Sequence, residues 1–398
     1  MAGLLLAIIY VSFISLGLPD AVLGSAWPII STELETTVSS MGIITIIISA
    51  GTIISGLQSD RLIKKIGVHT ITFVSVALTA VSLFGFSMSP SFFVLCLWAV
   101  PYGLGAGSVD AALNNYVAVN FESKHMSWLH CMWGLGATLG PYIMGMALTN
   151  NLNFRGGYMI LCIIQAVLTV IILASKPVWK MQKTSSNNCN QEQPKALSLK
   201  QIFKIRGVPE IAVTFLCFCA IEQTAGLWAS SYLVYTRGVE PEIAAGFTAL
   251  FYLGITIGRG INGFIAIKCS DTQMIRGGSV IMLAGILILF LPFGKTLAFV
   301  GLAMIGFGSA PVYPCIIHST PYNFGAENSQ AIIGVQMALA YTGTLTMPAL
   351  FGIIGKNISF TLYPLFIGFL LAVMIIMYEK LLKKVKTVSS KRNQGEIS

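Results

Sequence analysis

Twelve runs of predominantly apolar residues follow one another along the chain, at 2–30, 41–58, 67–88, 91–119, 127–149, 156–175, 209–235, 242–267, 275–294, 296–320, 328–354 and 358–378. A run of about 20 such residues spans the ~30 Å hydrocarbon core of a bilayer when it is helical. No water is available at that depth, so only a helix or a closed barrel satisfies every backbone N–H and C=O. Barrel strands alternate apolar and polar residues over ~10 positions, and stretches such as ILCIIQAVLTVIILA (160–174) do not. Charged residues make up 10% of the 398, against about 25% in a soluble domain. The expected fold is therefore an all-α membrane protein with 12 transmembrane helices. The first run starts beside Met1, but no Lys or Arg precedes it and it continues through Asp20 to Trp27. It reads as an uncleaved first span rather than a signal peptide.

A net charge of +9 on such a chain is an orientation signal, not a nucleic-acid signal. With both termini cytoplasmic, 19 of the 24 Lys and Arg fall on the cytoplasmic side: Arg61, Lys64, Lys65, Lys124, seven from Lys176 to Arg206, Lys268, Arg276 and six from Lys380 to Arg392. Arg155, Arg237, Lys295 and Lys356 fall opposite, and Arg259 lies within a span. That bias is the positive-inside pattern. The eight cysteines form no CxxC pair and lie mostly in spans, where small apolar filling is their expected role.

One long polar segment, basic and rich in Asn, Gln and Ser, separates the spans six and six. The expected organisation is a first half at 1–176, a flexible cytoplasmic linker at 177–208, a second half at 209–380 and a basic cytoplasmic tail at 381–398. The halves carry weak internal correspondences. PDAVLGSAW (19–27) in span 1 answers IEQTAGLW (221–228) in span 7, setting Glu222 opposite Asp20 with a Gly four residues on in both. GLGAGSVD (103–110) in span 4 answers GFGSAPVY (306–313) in span 10, and GPYIMG (140–145) answers MPALFG (347–352). Duplicated halves of this kind are common among secondary transporters.

Gly56-Leu57-Gln58-Ser59-Asp60-Arg61, then Lys64-Lys65 and Gly67, is similar to the cytoplasmic loop motif GxxxDRxGRK of the major facilitator superfamily, with Ile63 in place of the second Gly. Gly136-x-x-x-Gly140-Pro141 resembles a second superfamily pattern, commoner in antiporters. The resemblance covers nearly the whole chain. It implies two pseudo-symmetric six-helix halves, with Asp60 and Arg61 stabilising one conformational state.

A charge at bilayer depth costs ~2.5–3.5 kcal/mol on insertion scales, and Asp20, Asp110, Glu222 and Arg259 all lie well inside spans. Each must face a wet cavity, pair with another charge or be protonated. Asp110 shares one helix face with Gly103, Gly107 and Asn114. Asp20 follows Pro19, which opens a helix locally, and broken helices often form transporter sites. Glu222 and Gln223 with Trp228 offer acid, amide and aromatic face, chemistry suited to a sugar ring; alternatively Trp228 is a belt residue and Glu222 pairs with Arg259. Gln336 and Asn262 are further lining candidates, or could simply join helices. Arg259, always protonated, needs an acid, and both Glu222 and Asp110 are candidates.

Within the superfamily, PDAVLGSAWP together with GxGxxxxDxxxN (103–114) looks like the fucose:proton symporter family, which includes bacterial glucose and mannose transporters. That resemblance implies that Asp20 and Asp110 carry proton coupling and sugar recognition. WLHCMWGLGATLGP (128–141) resembles the family's fifth-span segment and maps His130 and Trp133 to the cavity. This chain has Asp where the family has Glu in span 4, and His where it has Gln in span 5.

The resulting expectation is a secondary active transporter working by alternating access, taking up a hexose-like monosaccharide with protons. Asp20 is the expected proton carrier and Asp110 the substrate ligand with linked protonation. Proton-driven efflux of drugs or metabolites and sodium-coupled sugar uptake are the alternatives. The expected setting is an inner membrane, as a functional monomer with no cofactor beyond its coupling ion. An enzyme is not expected: the loops hold no nucleophile–base pair, metal spacing or phosphate loop, and the glycines of 103–110 follow no strand.

Overall fold

A computed structural model describes residues 2–20, 22–37, 40–179, 197–291 and 294–393, and its regular elements among them are all helices. They are α1 (Ala2–Gly17), α2 (Val22–Glu33), α3 (Met41–Ile66), α4 (Val68–Met88), α5 (Phe92–Asn120), α6 (Ser123–Thr149) and α7 (Asn153–Ala174). A short α8 (Leu199–Lys204) follows, then α9 (Val208–Arg237), α10 (Pro241–Ile265), α11 (Asp271–Phe290), α12 (Gly294–Ser309), α13 (Val312–Phe324), α14 (Ala326–Asn357) and α15 (Tyr363–Asn393). Eleven stretches among the described residues are long and apolar enough to cross a membrane. At 25 residues, α10 supplies a twelfth by length. The protein is an all-α, multi-pass membrane protein.

Two spans are interrupted. Span 1 divides into α1 and α2 around Pro19, and span 10 divides into α12 and α13 before Val312, where Pro311 caps the second piece. Other helices outrun the apolar runs because their polar ends are good helix formers. Thus α3 continues to Ile66 with Lys64 and Lys65 in its last turn, where cations oppose the helix dipole. The last helix, α15, reaches Asn393, well into the expected tail. The expected linker is not wholly irregular either. Ser198 and Gln201 form a reciprocal capping box that starts α8. The centre of the linker, 180–196, lies outside the described residues.

Contacts divide the chain into two compact units. One comprises Met1–Tyr116 with Trp128–Ala196, the other Val117–Ser127 with Leu197–Ser398. The division differs from the expected boundary at one place, since 117–127 groups with the second unit. There Asp271 at the start of α11 accepts from Ser123 Oγ (2.5 Å) and meets His318 Nδ1 (2.6 Å). In the first unit Trp27, Ile30, Leu83, Phe86, Phe154 and Tyr158 form the buried core. In the second, α9 is the hub on which α10, α14 and α15 pack.

Candidate functional site

The site in the first unit begins with a missing hydrogen bond. Pro19 has no N–H to give Ser15 and its ring strains the preceding turn, so α1 stops at Gly17. The chain crosses the break with Asp20 N–H donating to Gly17 O (3.2 Å) and Val22 N–H to Pro19 O (3.2 Å). The glycines of the GxxxGP segment explain how α6 reaches it. A Cβ at Gly136 would collide with the Ile14 carbonyl, one at Gly140 with the Leu18 carbonyl, and one at Gly17 with the Trp133 carbonyl. Small residues let two helices approach backbone to backbone, and that approach sets Trp133 beside Asp20.

Both carboxylate oxygens of Asp20 are used. Trp133 Nε1–H donates to Oδ2 (2.9 Å) and the Tyr102 hydroxyl to Oδ1 (3.4 Å). Both donors are neutral. The carboxylate lies on the wall of a cavity of about 270 Å³ whose lining includes Thr45, Ser49, Phe86, Tyr102 and Tyr158. The lining combines the hydroxyls of Thr45, Ser49, Tyr102 and Tyr158 with apolar side chains such as Leu23, Ile48, Leu83 and Phe86.

Asp110 belongs to a second cluster in the same unit, on α5 and α6. Asn114 Nδ2 donates to Asp110 Oδ1 (2.8 Å) and to the Asp110 carbonyl (3.0 Å). His130 Nε2 lies 3.0 Å from Asn114 Oδ1. An amide oxygen only accepts, so Nε2 carries the proton in this arrangement. All three side chains are buried, Asn114 completely. The predicted face of Gly103, Gly107, Asp110 and Asn114 is real, and its glycines serve packing: a Cβ at either would strike the α3 backbone, at Ile48 or Thr52. Here Asp110 is enclosed by protein rather than presented to the Asp20 cavity.

In the second unit Arg259 Nη2 donates to both Glu222 oxygens, at 3.1 and 3.3 Å. Arg259 is 3% exposed and its guanidinium stands 5.9 Å from the Tyr313 ring centre. Of the two candidate acids, the pairing is with Glu222. Gln223 is half-buried beside it. Trp228 is fastened elsewhere: its Nε1–H donates to the Pro348 carbonyl (2.8 Å) and its ring packs on Phe351 and Phe360. Gln336 is fully buried and accepts from the Thr320 hydroxyl (3.1 Å). Its Nε2, like Asn262 Nδ2, has no hydrogen-bond partner among the described residues. Near the end of α3, Asp60 is buried and paired with Lys64 (3.0 Å), while Arg61 is exposed and reaches toward Gln58.

The sequence reading assigned no site role to Tyr102, Tyr158, Thr45, Ser49 or Gln165. Tyrosines and hydroxyls occur throughout apolar spans, so nothing singles these out. Gln165 is different. It is one amide in the run ILCIIQAVLTVIILA, and the cost of a polar group at bilayer depth could have flagged it as it flagged Asp110.

The family model described as Major Facilitator Superfamily matches residues 9–343. An uncharacterised MFS-type transporter of Yersinia pestis is 20% identical over 87% of this chain and 87% of its own length. The glucose/mannose transporter GlcP of Bacillus subtilis is 21% identical, with 77% of each chain covered. Among solved structures, FucP, the fucose:proton symporter of E. coli, aligns in its outward conformation with a TM-score of 0.75 and 16% identity, over 94% of this chain and 98% of that one.

Proposed function

The chain belongs to the Major Facilitator Superfamily and is a transporter, and on that premise we propose that it takes up a neutral hexose-like sugar together with protons by alternating access. The observation that carries this reading is the surroundings of Asp20. Its carboxylate sits at a helix break, on the wall of a cavity of about 270 Å³, between two neutral donors. Asp20 is exposed; apolar neighbours on the cavity wall such as Leu23, Ile48 and Phe86 favour the neutral form of a carboxylate, and donors to the charged form oppose that. A group balanced between the two can bind a proton from one side and release it to the other.

The likeness of sequence to GlcP and of fold to FucP supports a sugar as the solute. Asp110, Asn114 and His130 form a buried polar cluster in the first half. Glu222 and Arg259 supply a charge-neutral post in the second. In the proposed topology both termini face the cytoplasm of a cell whose plasma membrane holds the protein.

The test is uptake into proteoliposomes under an imposed pH gradient, using radiolabelled D-glucose, D-mannose and L-fucose in turn. Accumulation of one of them above its external concentration, abolished by a protonophore, is the expected result. Accumulation indifferent to the protonophore, or none with any of the three, overturns the proposal.

A further inference from the structure

The break at Pro19 leaves the Ser15 carbonyl without its normal backbone donor, deep in apolar surroundings. A buried unsatisfied carbonyl costs about 1–3 kcal/mol, and something has taken that donor's place. Gln165 of α7 donates Nε2–H to the Ser15 carbonyl (2.6 Å), and the Ser15 hydroxyl donates to Gln165 Oε1 (2.6 Å). Both residues are buried, Gln165 to 1% exposure. One amide side chain on a neighbouring helix thus replaces the missing N–H and holds the residue that lost it.

We propose that Gln165 is the positioning residue of the proton-binding group: its two bonds to Ser15 fix the end of α1 and thereby the place of Asp20 against Trp133 and Tyr102.

The geometry gives two routes from Gln165 to Asp20. One is the backbone. Ser15 lies in the last turn before the break, and the same turn carries Ile14, Gly17 and Leu18 against the α6 glycines from which Trp133 projects. The other is Tyr102. A gap of about 10 Å³, room for about one water, is lined by Ser15, Pro19, Gln165 and Tyr102. Tyr102 also lines the large cavity and donates to Asp20. A helix end that slips at Ser15 therefore disturbs both donors to the carboxylate. Tyr102 and Tyr158 are the other titratable groups on the lining of the Asp20 cavity.

The inference rests on Asp20 as the coupling acid but needs no particular solute, so it can be tested without one. Because Trp133 bonds Asp20 directly, its fluorescence reports the protonation of that acid. Purified protein is titrated with pH and the Trp133→Phe signal subtracted. The component that disappears in Asp20→Asn is the Asp20 titration. Gln165→Leu is expected to move its midpoint by about half a pH unit or more, roughly threefold in proton affinity. Pro19→Ala restores an N–H able to bond Ser15, so in that background Gln165→Leu is expected to move the midpoint by less than about a third as much.

Ser15→Ala removes only the hydroxyl bond and supplies a milder variant should Gln165→Leu not fold; a smaller shift is expected. A midpoint unchanged in Gln165→Leu, or in Ser15→Ala where that variant stands in, overturns the positioning role while leaving the proposed function intact. An equal shift with and without Pro19 also overturns it, because the amide would then not be replacing that N–H. Absence of any Asp20-dependent component overturns the inference and the coupling assignment together.

Discussion

Spans 1 and 7 each place an acid four residues before a glycine, yet the two acids live in opposite surroundings. Asp20 has an indole N–H and a phenol O–H as partners and a cavity beside it. Glu222 has the guanidinium of Arg259, itself almost completely buried, and no break in its helix. A carboxylate held by neutral dipoles can exist in either protonation state at moderate cost. One held by a permanent buried cation cannot lose its charge without stranding that cation. On the proposed function, the difference teaches that corresponding positions of the two halves divide the work: exchange of charge in the first, fixed neutrality in the second.

The largest expected effect sharpens that contrast. Asp20→Asn should reduce pH-gradient-driven accumulation to the level of empty liposomes while leaving equilibrative exchange across the membrane. Undiminished accumulation in this variant breaks the comparison outright. Next comes Glu222→Gln, which leaves Arg259 facing a neutral amide. It should destabilise the protein by about 3 kcal/mol, seen as a lower melting temperature, and Glu222→Gln with Arg259→Leu should recover most of the loss. If the double variant is stable but no longer proton-coupled, the second half is not merely a post.

Glycines offer a third pairing. Gly140→Ala forces α6 off the Leu18 carbonyl, and Gly278→Ala forces α11 off the Gly308 carbonyl. Each should cost about 1–3 kcal/mol by overpacking. Only Gly140→Ala should alter the pH profile of uptake, and equal profiles would remove the special standing of the span 1 break. The smallest effects come from the tryptophans. Trp228→Phe loses one bond to a carbonyl, about 1 kcal/mol, with uptake against pH unchanged. Trp133→Phe loses one bond of similar strength but should displace that profile; superimposable curves for the two would show that the Asp20 bond has no functional weight.

The sequence reading recovered the spans because bilayer thickness imposes a length and apolarity that no tertiary contact can override. It recovered the intramembrane charges for the same reason, since each is an exception to that rule. It also placed Asp110 and Asn114 on one face, because helical period alone decides that. Pro19 and Asp20 side by side were enough to expect an opened helix. The GxxxGP segment was read as a superfamily pattern, but its role could not be, because a small-residue stripe does not name the helix it receives. In the structure it receives the break of span 1, through Gly136 and Gly140.

The sequence is least informative where function depends on which neighbour is reached. Trp228 was a candidate sugar platform from its aromatic face; the carbonyl of Pro348 and the rings of Phe351 and Phe360 take it in this structure. His130 was assigned to the cavity by resemblance, and in the structure it completes the Asp110–Asn114 cluster. Gln165 carries no motif at all, and only its distance to Ser15 reveals its part.

What the sequence determined by itself is the solvent of this protein, its number of crossings and the fact that polar business is conducted inside them, because the transfer cost of each residue is local and additive along a helix. What the tertiary structure decided is which acid meets only neutral donors and which is paired with a cation. That depends on the identity of a partner 37 residues away for Glu222 and 113 residues away for Asp20, and no local rule of spacing contains it.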